Sequence, residues 1–352
     1  MSLPDDDVQA VHRLHQAFRQ INEQLQKVIV GQQQVIEELL IAMFARGHVL
    51  LVGVPGLAKT LMIRTLADTL SLKFSRIQFT PDLMPADITG TEVIQEDKLS
   101  GTREFKFLAG PIFGNVILAD EINRTPPKTQ AALLESMQEH QVTVGGKRHR
   151  LEEPFFVLAT QNPIEQEGTY PLPEAQLDRF MFNTFVDYPE EDEELEIVKR
   201  TTAGVQEKLT PTLDGEEIMA LQRIVRNIPA PDHVIRYAMQ FTRSTRREKG
   251  SVPDFVEQFV TWGAGPRASQ YLVLGAKARA ALHGRYQATC DDIRAVAPPV
   301  LRHRIMTNFN AEAEGVRPDD IVQRLMELIP TTDDGTLTRG KLPEIFGPAG
   351  AR

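Results

Sequence analysis

The chain has 352 residues, with 39 Lys and Arg against 48 Asp and Glu and a formal net charge of −9. That length suffices for two domains with real cores, and the acidic balance disfavours broad electrostatic binding to nucleic acid, local basic patches aside. The single cysteine, Cys290, excludes an intramolecular disulfide; no apolar run reaches membrane-spanning length, and the acidic start Met-Ser-Leu-Pro-Asp-Asp-Asp is unlike a signal sequence, so the expected compartment is the cytoplasm.

Apolar residues at spacings of three or four, Val8, Val11, Leu14, Phe18, Ile21 and Leu25, predict a first helix over 8–26. Val28-Ile29-Val30-Gly31-Gln32 then precedes a second helix through Val35, Leu39, Ile41 and Met43. Ile29, Val30 and Gly31 either line a site for an adenine ring or form a plain turn between helices. The apolar run Val49-Leu50-Leu51-Val52 predicts a buried strand, followed by Gly53-Val54-Pro55-Gly56-Leu57-Ala58-Lys59-Thr60 and a helical pattern with Met62, Ile63, Leu66, Ala67 and Leu70 on one face. Strand, glycine-bearing loop, Lys-Thr and helix make a phosphate-binding P-loop. Gly53 and Gly56 permit the bend, and the loop N–H groups with the helix start offer partial positive charge to phosphate. Lys59 is expected to reach the terminal phosphates and Thr60 to ligate Mg²⁺. Leu61 completes the binding stretch. Ala58 stands where the general pattern has glycine; right-handed helical angles there would make its methyl group cheap.

Phe74 to Phe79 predicts a strand, and residues 81–114, punctuated by Pro81, Pro85, Gly90, Gly101, Gly110, Pro111 and Gly114, a helix interrupted by an inserted hairpin. Val116-Ile117-Leu118-Ala119 runs straight into Asp120-Glu121, as in a buried parallel strand whose carboxyl end carries function. Downstream of a P-loop, Asp120 suits the Mg²⁺ shell and Glu121 suits polarising the water that attacks the γ-phosphate. A helix through Ala131, Leu134 and Met137 precedes a hairpin over 141–151 that turns at Gly145-Gly146. Its basic run, Lys147-Arg148-His149-Arg150, is either a solvated edge or a partner contact. Phe155 to Thr160 predicts another buried strand, ending at Gln161-Asn162-Pro163. Asn162 can fix an attacking water, or simply serve a turn. After a Gly/Pro loop over 164–176 comes Leu177-Asp178-Arg179-Phe180 and a last strand, Met181 to Val186. From about 187 onward the pattern is helical: 190–202, 214–228, 232–247, 267–285, 289–303 and 317–329. Residues 331–352, rich in Gly, predict a loose tail. The expected division is a core over 1–187, a helical domain over 188–330 and the tail.

Together these motifs resemble an AAA+ ATPase of the MoxR family, over residues 12–330. The carrying stretches are Val30-Gly31-Gln32, Gly53 to Thr60, Gln78-Phe79-Thr80-Pro81-Asp82, Asp120-Glu121-Ile122-Asn123-Arg124, Ala159 to Pro163, Leu177 to Phe180 and Gly265-Pro266-Arg267-Ala268. Within that family Ala58 is the familiar residue. The resemblance implies an α/β core with a five-stranded parallel sheet in the order 5-1-4-3-2 and a C-terminal helical lid. It makes 81–114 the helix-2 insert and 141–151 the pre-sensor hairpin. It implies Asn162 as sensor 1, Arg267 as sensor 2 acting within its own subunit, and Arg179 as the arginine finger of a neighbouring subunit. It further implies hexameric rings using ATP and Mg²⁺, and chaperone-like remodelling of protein clients beside a separate partner with a von Willebrand factor A (VWA) domain. Two other functions stay open. One is a nucleic-acid motor like the minichromosome-maintenance helicases, disfavoured by the acidic charge. The other is the ATPase subunit of a magnesium chelatase. His12, His15, His48 and His140 lack metal-like spacing, and Trp262 is expected to pack where the lid meets the Arg267 helix.

Overall fold

A computed structural model describes residues 5–96, 103–165, 168–203, 208–247 and 252–331. The chain divides into two compact units, Gln16–Gln222 and Met1–His15 with Arg223–Arg352. Helix α1 (Asp5–Val28) contributes residues to both. Apart from residue 331, the expected tail lies outside the described residues.

The first unit continues with α2 (Gln33–Phe44), β1 (Val49–Val52), α3 (Lys59–Thr69), β2 (Phe74–Gln78), α4 (Pro85–Thr89), β3 (Gly90–Glu96), β4 (Arg103–Ala109), β5 (Val116–Asp120), α5 (Pro127–Glu139), β6 (Gln141–Val144), β7 (Lys147–Arg150), β8 (Phe156–Gln161), α6 (Glu174–Leu177), β9 (Phe182–Phe185), α7 (Glu191–Thr202) and α8 (Gly215–Asn227), the last running into the second unit. Five strands form one parallel sheet in the order β2-β5-β8-β1-β9. Counting only those five strands along the chain, this is the expected 5-1-4-3-2. The central strands are apolar up to their carboxyl ends because both sheet faces are covered; all five residues of β5, Asp120 included, are buried. On one face Leu50, Ile77, Ile117 and Val157 pack with Leu133, Leu134 and Met137 of α5.

Strand register then dictates the site. Gln78 pairs with Asp120, Ala119 with Ala159, and Leu51 with Thr160. Hence Gln78, Asp120, Thr160 and the end of β1 stand side by side along the carboxyl edge, where open α/β sheets bind ligands.

Antiparallel strand pairs form within both 81–114 and 141–151. Strands β3 and β4 pair antiparallel from Gly90–Ala109 to Glu96–Arg103, and β6 and β7 from Gln141–Arg150 to Val144–Lys147. The compositional boundary near 187 falls inside the first unit. Helix α7 and most of α8 belong with the sheet: Arg200 donates to Gln26 O at 2.8 Å, Thr212 N to Thr69 O at 2.8 Å, and Gln222 Nε2 to Met43 O at 2.8 Å.

The second unit adds α9 (Asp232–Ser244), α10 (Asp254–Phe259), β10 (Val260–Trp262), α11 (Pro266–Leu282), α12 (Cys290–Leu301), β11 (Met306–Thr307), α13 (Phe309–Ala313) and α14 (Pro318–Leu328). The apolar faces of α9, α11, α12 and α14 meet, and Asp292, wholly buried, caps α12 between Arg279 and Arg285. The short pieces α10, β10, β11 and α13 lie below the length at which periodicity shows. Trp262 departs from expectation: it lies on β10 paired with Met306, and 61 % of it is exposed.

Candidate nucleotide site at the carboxyl edge of the sheet

The loop between β1 and α3 is anchored by the Gly53 N–H, which donates to Gln161 O at 3.2 Å. A Cβ on Gly53 would come within 2.5 Å of Val186 O, so close approach dictates glycine there. Gly56 has open space around it but φ +89°, so conformation dictates glycine there. Lys59 folds back along the loop and donates to Gly53 O and to Val54 O, the latter at 2.9 Å. Burial lowers its pKa, opposed by the charges of Asp120 and Glu121.

Ala58 corrects the sequence reading. Its angles are φ 53° and ψ 21°, left-handed rather than right-handed. The chain must reverse its curl at this point, since Ala58 O already accepts the first helical bond from Met62 N at 2.9 Å. An L-residue there costs about 1–2 kcal/mol. Gln32 (φ 57°) and Glu121 (φ 58°) share this conformation. Three of the six positive-φ residues other than glycine among the described residues thus sit at this edge, the clustering expected of a functional site.

The two acids are held differently. Asp120, nearly buried, accepts from the Thr160 hydroxyl at 2.7 Å and from Arg76 Nε and Nη2 at 3.0 and 2.6 Å. Glu121 donates its N–H to the same Thr160 oxygen at 2.8 Å, and its Oε2 accepts from Gln78 Nε2 at 2.9 Å. Arg124 Nε lies 3.2 Å from that Oε2. The hydrogen bond it donates to Glu165 is the main reason the Arg124 guanidinium is held above its ordinary pKa. Asn162, buried, closes a turn by accepting from Ile164 N at 3.1 Å.

Two cavities share the loop. A polar one of about 470 Å³ is lined by residues 55–61 with Asp120, Glu121, Thr160, Gln161 and Asn162. An apolar one of about 440 Å³ is lined by Ile29, Val30, Leu57, Leu61, Tyr188 and Ile197 among others. Both volumes suit a small-molecule ligand. The donor set fits a magnesium–nucleotide: loop N–H groups and Lys59 for phosphate, the Thr60 hydroxyl and the Asp120 carboxylate for the ion, and an apolar slot for a base. Among the described residues no group of three or more His, Cys, Asp or Glu could hold a metal. Phosphate and water would therefore supply the ion's remaining ligands, the usual arrangement for Mg²⁺.

Of the residues singled out by sequence, Ile29, Val30, Pro55 to Leu61, Asp120, Glu121 and Asn162 line these cavities. Gly31, with φ 68°, adjoins the apolar one beside Glu193. Gly53 and Val54 supply the carbonyls that Lys59 holds. Arg179 lies just past α6, half-buried and outside both cavities. Arg267 belongs to the second unit, as the second residue of α11. Roles for Thr160, Arg76, Gln78, Arg124 and Tyr188 went unassigned by sequence. Only strand register reveals the first three, although Gln78 and Arg124 stand inside motifs already noted.

Residues 48–182 match the family model "ATPase family associated with various cellular activities (AAA)", and residues 255–325 match the AAA lid domain. The fold and the phosphate loop thus define an AAA-type ATPase module with its lid. Chaperone MoxR1 of Mycobacterium tuberculosis is 41% identical over 91% of this chain and 82% of its own, and the uncharacterized protein YeaC of Bacillus subtilis is 44% identical over 90% and 95%. The crystal structure of a candidate ATPase from Cytophaga hutchinsonii superposes with a TM-score of 0.84 at 39% identity, covering 92% and 97% of the two chains. The chain belongs to the MoxR family of AAA+ ATPases. No described helix is long and apolar enough to cross a membrane.

Proposed function

We propose that the protein hydrolyses ATP in a ring, most simply a hexamer, and uses the cycle to remodel or assemble client proteins alongside a VWA-domain partner. The observation that carries the ATPase reading is the pair of cavities meeting at residues 55–61, one apolar, the other lined by Lys59, Asp120, Glu121 and Asn162. The relative named as a chaperone supports client remodelling over a helicase or chelatase role.

In this reading Ile29, Val30, Tyr188 and Ile197 bury the adenine. Loop N–H groups and Lys59 bind the β- and γ-phosphates, pre-set where charge develops. Thr60 and Asp120 hold Mg²⁺, which when bound neutralises phosphate charge and orients the terminal group. Glu121 accepts a proton from the attacking water, and Asn162 helps orient that water. Arg267 contacts the γ-phosphate from the lid of its own chain, and Arg179 completes the site of the next chain.

A complementation experiment tests the shared site. Arg179→Ala alone should lose about 10³–10⁵-fold in turnover, and Glu121→Gln alone should be nearly inactive. Mixed rings place an intact Glu121 opposite an intact Arg179 at some interfaces, so mixing the two should restore turnover. Mixtures no more active than their components would place both residues in one subunit's site and remove the shared-site reading.

A further inference from the structure

Arg124 ends the 3₁₀ turn Ile122–Arg124 that follows the two acids, and its guanidinium meets two carboxylates. Nε and Nη2 both donate to Glu165 Oε2, the former at 2.9 Å. The same Nε stands 3.2 Å from Glu121 Oε2, a charge contact without hydrogen-bond alignment. Gln78 donates an aligned bond to that oxygen at 2.9 Å. The directed bonds of Arg124 therefore go to Glu165, which fixes the guanidinium. The guanidinium and Gln78 then fix one oxygen of Glu121. Exposure shows the arrangement is not buried scaffolding: the Glu121 side chain is 22% exposed, and Arg124 and Glu165 are each 37% exposed. Such pairs add at most about 1 kcal/mol to stability, so stability alone does not account for Arg124 and Gln78 both meeting this carboxylate. Orientation does, because a general base must meet its water at hydrogen-bond distance and direction. Glu165 also stands three residues past Asn162, so the tether links the strand ends that carry Glu121 and Asn162.

We propose that Arg124 is a positioning residue for Glu121 and that Glu165 is its tether, acting only through Arg124. The proposal rests on the ATPase reading above. The test uses the full chain as wild type, Arg124→Gln, Arg124→Lys, Glu165→Gln and the double variant Arg124→Gln/Glu165→Gln. Arg124→Gln should lower kcat about tenfold or more, with KM and the affinity for a fluorescent ATP analogue unchanged. Arg124→Lys should recover part of the loss. Glu165→Gln should lose less than Arg124→Gln, and the double variant should be no worse than Arg124→Gln. Unchanged kcat in Arg124→Gln, a loss explained by weaker ATP binding, or single losses that multiply in the double variant would each overturn the proposal. Should Arg124→Gln fail to fold, Arg124→Lys and Glu165→Gln decide: wild-type kcat in both overturns it. Melting temperatures of the four proteins wild type, Arg124→Gln, Glu165→Gln and the double variant read the tether without turnover, and additive shifts would refute it. A wild-type chain that binds ATP but never hydrolyses it would defeat the ATPase reading, while the melting cycle still reports on the tether.

Discussion

Two clusters of carboxylates and arginines stand in this chain, one in each unit, and they are built to opposite ends. In the second unit Asp292 has no exposed side-chain surface. It takes bonds from Arg285 and Arg279 and from the N–H and hydroxyl of Thr289. At the sheet edge Asp120 accepts from Arg76 and Thr160 and Glu121 from Gln78, with Arg124 in charge contact, but here the carboxylates themselves reach solvent: the Asp120 side chain is 12% exposed and that of Glu121 22%. The first cluster spends its hydrogen-bonding capacity inside the protein, so its charge serves the fold. The second turns its carboxylates to a cavity that Lys59 also lines, so their charge is open to a ligand. Composition does not distinguish the two; burial and strand register do.

The comparison breaks most sharply at Asp292. Asp292→Ala removes a wholly buried carboxylate together with the bonds it takes from Arg285, Arg279 and Thr289 and should cost about 3 kcal/mol, seen as loss of the cooperative melt of the second unit. Asp120→Asn removes a pair with a half-exposed arginine and should cost under about 1 kcal/mol, while abolishing magnesium-dependent turnover. Equal destabilisation by the two would erase the distinction.

pH separates the groups further. Desolvation alone would raise the Asp292 pKa, but bonds from Arg285, Thr289 and Arg279 outweigh it and hold the carboxyl below its ordinary value. The unfolded chain therefore binds that proton more readily, and the stability Asp292 contributes is present above about pH 4 and lost below it. His48 in the first unit works in a higher window. Burial lowers its pKa to about 4, and its Nδ1 accepts from Val157 N at 3.1 Å, so the ring is neutral in the fold. Stability of the first unit should fall as pH drops from about 6.5 to 4, by roughly 3 kcal/mol in all. Denaturant titrations at pH 7, 5.5 and 4.5 check this, and a flat profile of the first unit across that range would contradict the burial of a neutral His48.

The smallest effect sharpens the other half of the comparison. Ala58→Gly relieves the left-handed strain at the phosphate loop and should stabilise the first unit by up to about 1 kcal/mol, offset in part by the greater freedom of unfolded glycine. A destabilisation of similar size would mean that residue 58 is right-handed in solution.

Much of the site was legible because its chemistry is written in contiguous runs. Apolar strands lead directly into Gly53 to Thr60 and into Asp120-Glu121, and Gly145-Gly146 marks a two-residue turn between alternating strands. The sheet order was legible only through family resemblance, since periodicity carries no neighbour information. What escaped is what register creates. Thr160 bridges Asp120 and the Glu121 N–H because β8 lies beside β5, a fact no local pattern contains. Tyr188 and Ile197 line the apolar cavity from beyond the compositional change at 187, where no motif of the sequence pointed to the site. The handedness of Ala58 escaped because a residue type does not fix its own φ.

Glu121→Gln tests the central claim most directly. Incubated with radiolabelled ATP and magnesium and then rapidly filtered, this variant should retain intact ATP at wild-type affinity, with turnover lowered by about 10²–10⁴-fold. Release of phosphate by Glu121→Gln at the wild-type rate would contradict the account and move the chemistry away from the end of β5.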